Sequence, residues 1–178
     1  MNWEFDILYA IQNMHNPILD KIMVTISSLG NAGILWVVIA LILLISKKHR
    51  KMGIHMFIAM LLTLFVGNLI LKNLVQRQRP CWIDTTIPLL VNNPKDYSFP
   101  SGHTMNSFTA AMGIFLHQKR WGIVAFVVAA LIAFSRMYLF VHFPIDIITG
   151  MIIGISSAII VNHIMNKRFQ KNKKTEQN

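Results

Sequence analysis

Five long stretches of this sequence carry almost no charged residue, and they constrain the fold more than any other feature. They lie near residues 31–46, 53–72, 102–118, 121–140 and 145–165. A helix that crosses a bilayer needs about 20 mostly apolar residues. Spanning segments must satisfy their backbone hydrogen bonds internally, and these stretches lack the two-residue alternation of barrel strands. The sequence therefore predicts an all-α, polytopic membrane helix bundle with about five transmembrane helices.

The segments outside these spans are more polar. Residues 1–30 mix apolar side chains with acids, a pattern that predicts an N-terminal helical segment lying at the membrane interface. Residues 31–166 would form the membrane-embedded domain. Four prolines between Gln76 and Pro100 predict an irregular loop outside the bilayer. Residues 167–178 form a short basic tail, for which we expect no regular structure.

The chain is strongly basic, yet it has few charges. It has 17 Lys and Arg against 7 Asp and Glu, and only 13% of its residues are charged. A soluble nucleic-acid-binding protein would have a far larger charged fraction, so we expect no nucleic-acid partner. The sequence predicts a protein of the plasma membrane that contacts membrane lipids.

The positions of the charges predict an orientation. Eleven cations and a single acid fall after spans one, three and five, whereas the other six cations share their side of the bundle with six acids. Because cytoplasmic loops carry an excess of Lys and Arg, the eleven-cation side is predicted to be cytoplasmic. We therefore expect the N-terminus and the Gln76–Phe99 loop outside the cell and the basic tail inside it.

Three polar clusters lie at the predicted outer ends of the spans. Charged groups at such positions are costly and are therefore functional candidates. Each cluster alone has a simpler interpretation: two cations that anchor a helix at the interface, a serine that caps a helix, and an ion pair between Arg136 and Asp146. The clusters are Lys72 with Arg79-Pro80, then Pro100-Ser101-Gly102-His103, and then Ser135-Arg136 with His142 and Asp146.

Together the three clusters favour phosphate chemistry. Cations and a helix N-terminus suit an anion, and two histidines suit a nucleophile and a proton donor. The sequence has one cysteine, Cys81, and no group of carboxylates or Cys/His ligands spaced for a metal ion. We therefore expect neither a metal nor another cofactor.

The order Lys72-x6-Arg79-Pro80, Pro100-Ser101-Gly102-His103, Ser135-Arg136-x5-His142-x3-Asp146 resembles the three-part signature of the type 2 phosphatidic acid phosphatase superfamily. Every signature position is matched, and the membrane setting resembles its integral-membrane lipid phosphatase branch. The resemblance implies a metal-independent phosphohydrolase that forms a phosphohistidine.

The resemblance also implies a role for each matched residue. His142 would be the nucleophile, oriented by Asp146, and His103 would protonate the leaving oxygen. Arg77 stands at no signature position. The phosphoryl oxygens would be held by the remaining matched residues, Lys72, Arg79, Ser101, Gly102 and Arg136.

Several functions fit this signature. Our first expectation is hydrolysis of undecaprenyl diphosphate, because an outward-facing site would meet the carrier lipid where envelope polymers are assembled. A phosphatidate or phosphatidylglycerophosphate phosphatase with the same mechanism is an alternative. A non-enzymatic lipid-binding or transport protein is another. The sequence does not fix the oligomeric state.

Overall fold

The chain folds into nine α-helices, with no strand, within residues 3–175, which are the residues that the computed structural model describes. The prediction of an all-α helix bundle is confirmed. A 3₁₀ turn at Asn31–Gly33 precedes the third α-helix, and a π-helical stretch at Leu64–Leu71 continues the fourth. The helices are α1 (Trp3–Gln12), α2 (Pro17–Leu29), α3 (Ile34–Ile45), α4 (Arg50–Thr63), α5 (Lys72–Val75), α6 (Pro80–Ile83), α7 (Gly102–His117), α8 (Lys119–Tyr138) and α9 (Pro144–Thr175).

Three segments are each long and apolar enough to cross a membrane: Arg50–Ile83, Lys119–Tyr138 and Pro144–Arg168. A fourth crossing is possible if the pair Pro17–Leu29 and Asn31–Ile45, bent by 43°, counts as one broken span. The bend coincides with two residues in the left-handed region, Ala32 at φ 49° and Gly33 at φ 68°. Helix α7 has only 16 residues, so a count of five spans stays a prediction.

The starts of α7 and α9 lie side by side because small residues let the two helices approach closely. A Cβ atom on Gly154 would lie 2.5 Å from the carbonyl oxygen of Met105, and one on Gly150 would lie 3.0 Å from that of Ser101. The Ser101 N–H donates to the Asp146 carbonyl at 3.2 Å. This packing brings the second and third polar clusters to the same end of the bundle.

The N-terminal helices pack against the same end. Leu8 of α1 and Met23 of α2 belong to a buried apolar cluster with residues 138–141 and Phe143, which form the connection from α8 to α9. Helix α2 packs along α8. Residues 1–30 therefore contribute to the wall around the polar clusters, apart from Met1 and Asn2, which lie outside the described residues.

Two local predictions are wrong. The helix that carries Lys72 ends at Val75, where Gln76 takes a φ of 49°, and Arg79 is extended at φ −81° and ψ 154°. The spacing of seven residues favours one helix face for Lys72 and Arg79, with Pro80 marking the end of that helix. In the structure the two residues do not share a helix face, and Pro80 begins α6. In addition, α9 continues to Thr175, so residues 167–175 of the basic tail are helical; residues 176–178 lie outside the described chain.

Candidate active site

All three polar clusters open onto one cavity of about 210 Å³ at the N-terminal ends of α7 and α9. The π-helical stretch leads into Lys72, and such stretches recur at functional sites because they redirect side chains within a helix. The signature residues that line the cavity are Lys72, Arg79, Gly102, His103, Arg136 and His142.

His142 is almost fully buried, with 1% of its surface exposed. Its Nε2 lies 3.1 Å from Nη1 of Arg79, and because a guanidinium only donates, Nε2 accepts and the ring proton sits on Nδ1. Nδ1 lies 3.4 Å from Ser98 Oγ and 3.5 Å from Asp146 Oδ2. Burial lowers the pKa of His142 well below its ordinary 6.5, and the nearby Arg79 lowers it further. The ring is therefore a neutral base whose Nε2 lone pair accepts from Arg79, another residue that lines the cavity.

Asp146 is held by a network that the signature does not contain. Its Oδ2 accepts from the Ser98 hydroxyl and, at 2.9 Å, from the Phe143 N–H. Its Oδ1 accepts from Arg77 at 2.9 Å. Arg77 also pairs with Glu4 of α1, which is 4% exposed. The carboxylate behind His142 is thus fixed from three directions.

Two of the three signature cations share one carboxylate. Arg79 donates to Oδ1 of Asp96 at 2.8 Å, and Lys72 pairs with Oδ2 of the same side chain. Burial raises the pKa of Asp96, but Lys72 and Arg79 outweigh that effect and lower the pKa to about 2. Asp96 is therefore ionised at any physiological pH, and its oxygens occupy the donors that a phosphoryl group would need.

The third cation, Arg136, has no acidic partner among the described residues. It is 6% exposed, its Nη1 donates to the Ser27 hydroxyl of α2, and its buried Nε has no hydrogen-bond partner. The simpler interpretation of Arg136 and Asp146 as an ion pair is wrong, because Asp146 pairs with Arg77 instead. A buried guanidinium with a free donor is ready to bind an anion.

His103 is held from the N-terminal segment. Its Nε2 lies 3.0 Å from Asn31 Oδ1, and because a carbonyl oxygen only accepts, this nitrogen carries the proton. Gly30 packs so closely on the ring that a Cβ there would lie 2.6 Å from Cδ2 of His103. The turn between α2 and α3 therefore sets the position of this histidine.

Ser101 and Gly102 have different roles at the start of α7. The Ser101 hydroxyl is buried and accepts from the N–H of Thr104 at 3.5 Å and from its hydroxyl at 3.0 Å, so Ser101 caps α7. Gly102, the first residue of α7, lines the cavity. The first N–H groups of a helix have no partner within the helix, so those at the start of α7, other than the N–H of Thr104, are donors of the kind that bind anions.

Several residues around the cavity were missed because they belong to no signature position. One signal for them was present in the sequence, since the six cations predicted for the outer side are matched there by six acids. Arg77, which stands at no signature position, pairs with two of those acids, Glu4 and Asp146. The missed residues are Glu4, Ser27, Asn31, Arg77, Asp96 and Ser98.

Residues 52–170 match the model of the PAP2 superfamily. The chain belongs to this superfamily. It is 34% identical over 137 residues to an undecaprenyl-diphosphatase of Sulfolobus acidocaldarius, a match that covers 76% of this chain and 66% of that protein, slightly under two thirds of its length.

Two solved PAP2-like structures share the fold. The crystal structure of LpxE from Aquifex aeolicus superposes with a TM-score of 0.80 at 28% identity, covering 92% of this chain and 96% of the other. A PAP2-type phosphatidylglycerolphosphate phosphatase from Bacillus subtilis superposes with a TM-score of 0.75 at 28% identity, covering 92% and 85%. The PAP2 match begins at Met52, so Glu4, Ser27 and Asn31 lie before it.

Proposed function

We propose that this protein is a membrane lipid phosphatase that converts undecaprenyl diphosphate into undecaprenyl phosphate and inorganic phosphate. One observation carries the proposal: a single cavity of about 210 Å³ contains a neutral, buried His142, a second histidine and three cations. A cavity of this size suits a phosphoryl group, and its positive charge suits the group's oxygens.

In the first step His142 attacks the terminal phosphorus. As the Arg79 guanidinium turns from Nε2 to the phosphoryl oxygens, the freed Nε2 lone pair forms an N–P bond while the bond from phosphorus to the bridging oxygen breaks. The bridging oxygen takes the electron pair and receives a proton from His103, which enters this step as the imidazolium formed when the anionic substrate binds and ends it neutral, so undecaprenyl phosphate leaves. Asp146 stabilises the positive charge that develops on the His142 ring, and Lys72, Arg79 and Arg136 stabilise the equatorial oxygens.

In the second step water releases the phosphate. His103, now without its proton, accepts one from a water molecule whose oxygen attacks the phosphorus. The N–P bond breaks, its electrons return to Nε2 of His142, and inorganic phosphate forms. The enzyme regains its starting protonation, with one water consumed for each diphosphate bond.

The identity of the lipid rests on two supports. A relative with 34% identity carries the name undecaprenyl-diphosphatase, and the charge distribution of the sequence favours an outward-facing site. The alternative is a phosphatidylglycerophosphate phosphatase, favoured by the likeness to the Bacillus subtilis enzyme. Conversion of phosphatidate would need the same groups.

A substrate comparison tests the proposal. Phosphate release by the purified full chain in detergent is measured with undecaprenyl diphosphate, phosphatidylglycerophosphate and phosphatidate. We expect the highest kcat/KM for the diphosphate and undiminished activity in EDTA. A higher kcat/KM for either glycerophospholipid would replace the proposed substrate, and loss of activity in EDTA would contradict a metal-independent mechanism.

Orientation is tested separately in intact cells. A cysteine replaces the exposed Asn92 in a Cys81→Ser background, and labelling by a membrane-impermeant thiol reagent is followed. We expect labelling without lysis, because the loop is proposed to lie outside the cell. Labelling only after lysis would reverse the orientation and remove that support for the carrier lipid.

A further inference from the structure

Two larger cavities adjoin the central cavity and share lining residues with it. The first, the α2-side compartment, has a volume of about 550 Å³ and is lined by Ser27, Ser28, Asn31, Asn92 and neighbouring apolar side chains. The second, the Lys95-side compartment, has a volume of about 520 Å³ and includes Asn73 and Lys95. The compartments differ in which active-site residues they share with the central cavity.

The α2-side compartment shares His103 and Arg136 with the central cavity, whereas the Lys95-side compartment shares Lys72 and Asp96. His142 lines the central cavity. In an in-line displacement the nucleophile and the leaving oxygen stand on opposite sides of the phosphorus. The leaving oxygen must also lie within reach of His103, its proposed proton donor, and of the two compartments it is the α2-side one that His103 lines.

The compartments differ in whether a carboxylate is present. The described lining of the α2-side compartment contains Arg136 and neutral hydrogen-bonding groups but no carboxylate. The Lys95-side compartment contains two cations, Lys72 and Lys95, but also the carboxylate of Asp96, whose negative charge a second phosphate would meet. Arg136 is more than nine-tenths buried and its Nε has no partner, so a donor remains for an anion at the junction with the central cavity.

We infer that the α2-side compartment binds the proximal phosphate of a lipid diphosphate, the phosphate that stays on the lipid after cleavage. Arg136 faces both phosphates, and the hydroxyl and amide groups of Ser28 and Asn92 solvate the proximal one. The apolar side chains Val24, Leu90 and Val91 face the first carbons of the lipid chain. This inference rests on the proposed function, because a lipid monophosphate has no proximal phosphate.

The test introduces a negative charge on one side of the central cavity at a time. Asn92→Asp and Ser28→Asp change the α2-side compartment, and Asn73→Asp is the matched control in the Lys95-side compartment, where Asn73 is exposed. Each purified variant is assayed with an isoprenoid diphosphate and with the monophosphate of the same isoprenoid chain. The readout is the ratio of the two kcat/KM values, which cancels a general loss of folded enzyme.

We expect Asn92→Asp and Ser28→Asp each to lower this ratio about tenfold or more, because a like charge beside the proximal phosphate is strongly unfavourable. Asn73→Asp should leave the ratio unchanged. In parallel, inhibition by inorganic pyrophosphate should weaken in the two α2-side variants more than inhibition by orthophosphate.

The other outcomes overturn the inference in distinguishable ways. A ratio that falls in Asn73→Asp but not in the α2-side variants would put the leaving group in the Lys95-side compartment. A ratio unchanged in all three variants would show that the proximal phosphate binds elsewhere, while the proposed diphosphatase activity of the wild type would stand. A wild-type enzyme that cleaves phosphatidate but no diphosphate would overturn the proposed function and this inference with it.

Discussion

The two histidines of the central cavity are held in contrasting ways. His142 is 1% exposed, and polar partners contact both of its nitrogens. His103 is half-buried, has one polar contact, with Asn31, and borders the open α2-side compartment. The proposed nucleophile is thus held on both sides before substrate binds, whereas the proposed proton donor borders the space assigned above to the leaving group. Substitutions around His142 should therefore have the largest effects on activity, and those nearer the α2-side compartment should have smaller ones.

The largest effect is expected from removing the nucleophile. His142→Ala should lower kcat by about 10⁴-fold or more, because no other described group in the cavity can take its place. The measurement is phosphate release, together with acid-labile labelling of the protein by radioactive substrate. His163→Ala, at an exposed histidine of α9, is the control and should retain full activity. Turnover of His142→Ala within tenfold of wild type would rule out the phosphohistidine mechanism.

The second largest effect is expected at Arg77. It tests whether the positions of Asp146 and His142 depend on this residue. Arg77→Ala leaves Glu4 and Asp146 without their shared cation, and breaking such a buried pair costs about 3–5 kcal/mol of unfolding free energy. The misplaced Asp146 should also lower kcat by about 10²-fold. Denaturant unfolding and kinetics of the same preparation measure both quantities.

Two companion variants separate charge from geometry at Arg77. Arg77→Lys keeps the charge but loses the fork that reaches two carboxylates, so it should recover stability more than kcat. Lys95→Ala, at an exposed cation of the neighbouring loop, should change neither quantity. Wild-type kcat in Arg77→Ala would mean that Asp146 needs no support from α1.

A smaller effect is expected at the proton donor. In Gly30→Ala the added methyl would lie 2.6 Å from Cδ2 of His103 and 2.9 Å from Cγ2 of Ile132, so the His103 ring must move, while the backbone, at φ −85°, accepts alanine without strain. Because general acid catalysis contributes about 10²–10⁴-fold, a displaced but flexible His103 should lower kcat about tenfold. Leu29→Ala, at the exposed neighbouring residue, serves as the control. Equal kcat values in the two variants would show that His103 tolerates the methyl group.

The smallest effect is expected at Asp96, whose carboxylate forms ion pairs with Lys72 and Arg79. Asp96→Asn should strengthen competitive inhibition by orthophosphate about two- to fivefold, since ion pairs of an exposed carboxylate are weak. The folded-state pKa of about 2 lies below the ordinary 3.8, so the ion pairs persist above pH 4 and weaken as the pH falls toward 2. The difference between variant and wild type should therefore be constant from pH 5 to pH 8.

Asp84→Asn is the control for Asp96, because Asp84 is a half-buried acid of the same loop whose partners are Thr86 and Tyr9 rather than a signature cation. Phosphate inhibition should not change in this variant. Weaker phosphate inhibition in Asp96→Asn would mean that the carboxylate positions the two cations for phosphate instead of competing with it.

The helix bundle and the signature residues could be predicted from the sequence. The residues that hold the signature side chains in place could not. Long apolar stretches and a spaced motif are local properties, and both can be read from one chain. The partners of Asp146 are 69 and 48 residues away, at Arg77 and Ser98, and no local spacing connects them. The end of the Lys72 helix at Val75 was missed because the residue that ends it in the left-handed conformation is Gln76. Glycine is the usual sequence signal for such a helix end.

The N-terminal segment supplies a wall of the cavity without supplying a signature residue. The proposed catalytic groups lie within residues 52–170, whereas Asn31, Ser27 and the rest of α2 lie before that region and line the compartment proposed for the leaving group. Exchange of the first 31 residues for those of a relative would alter this wall while leaving both histidines intact. The lipid that the protein accepts could thus be changed by engineering α2 alone, with the proposed catalytic residues untouched.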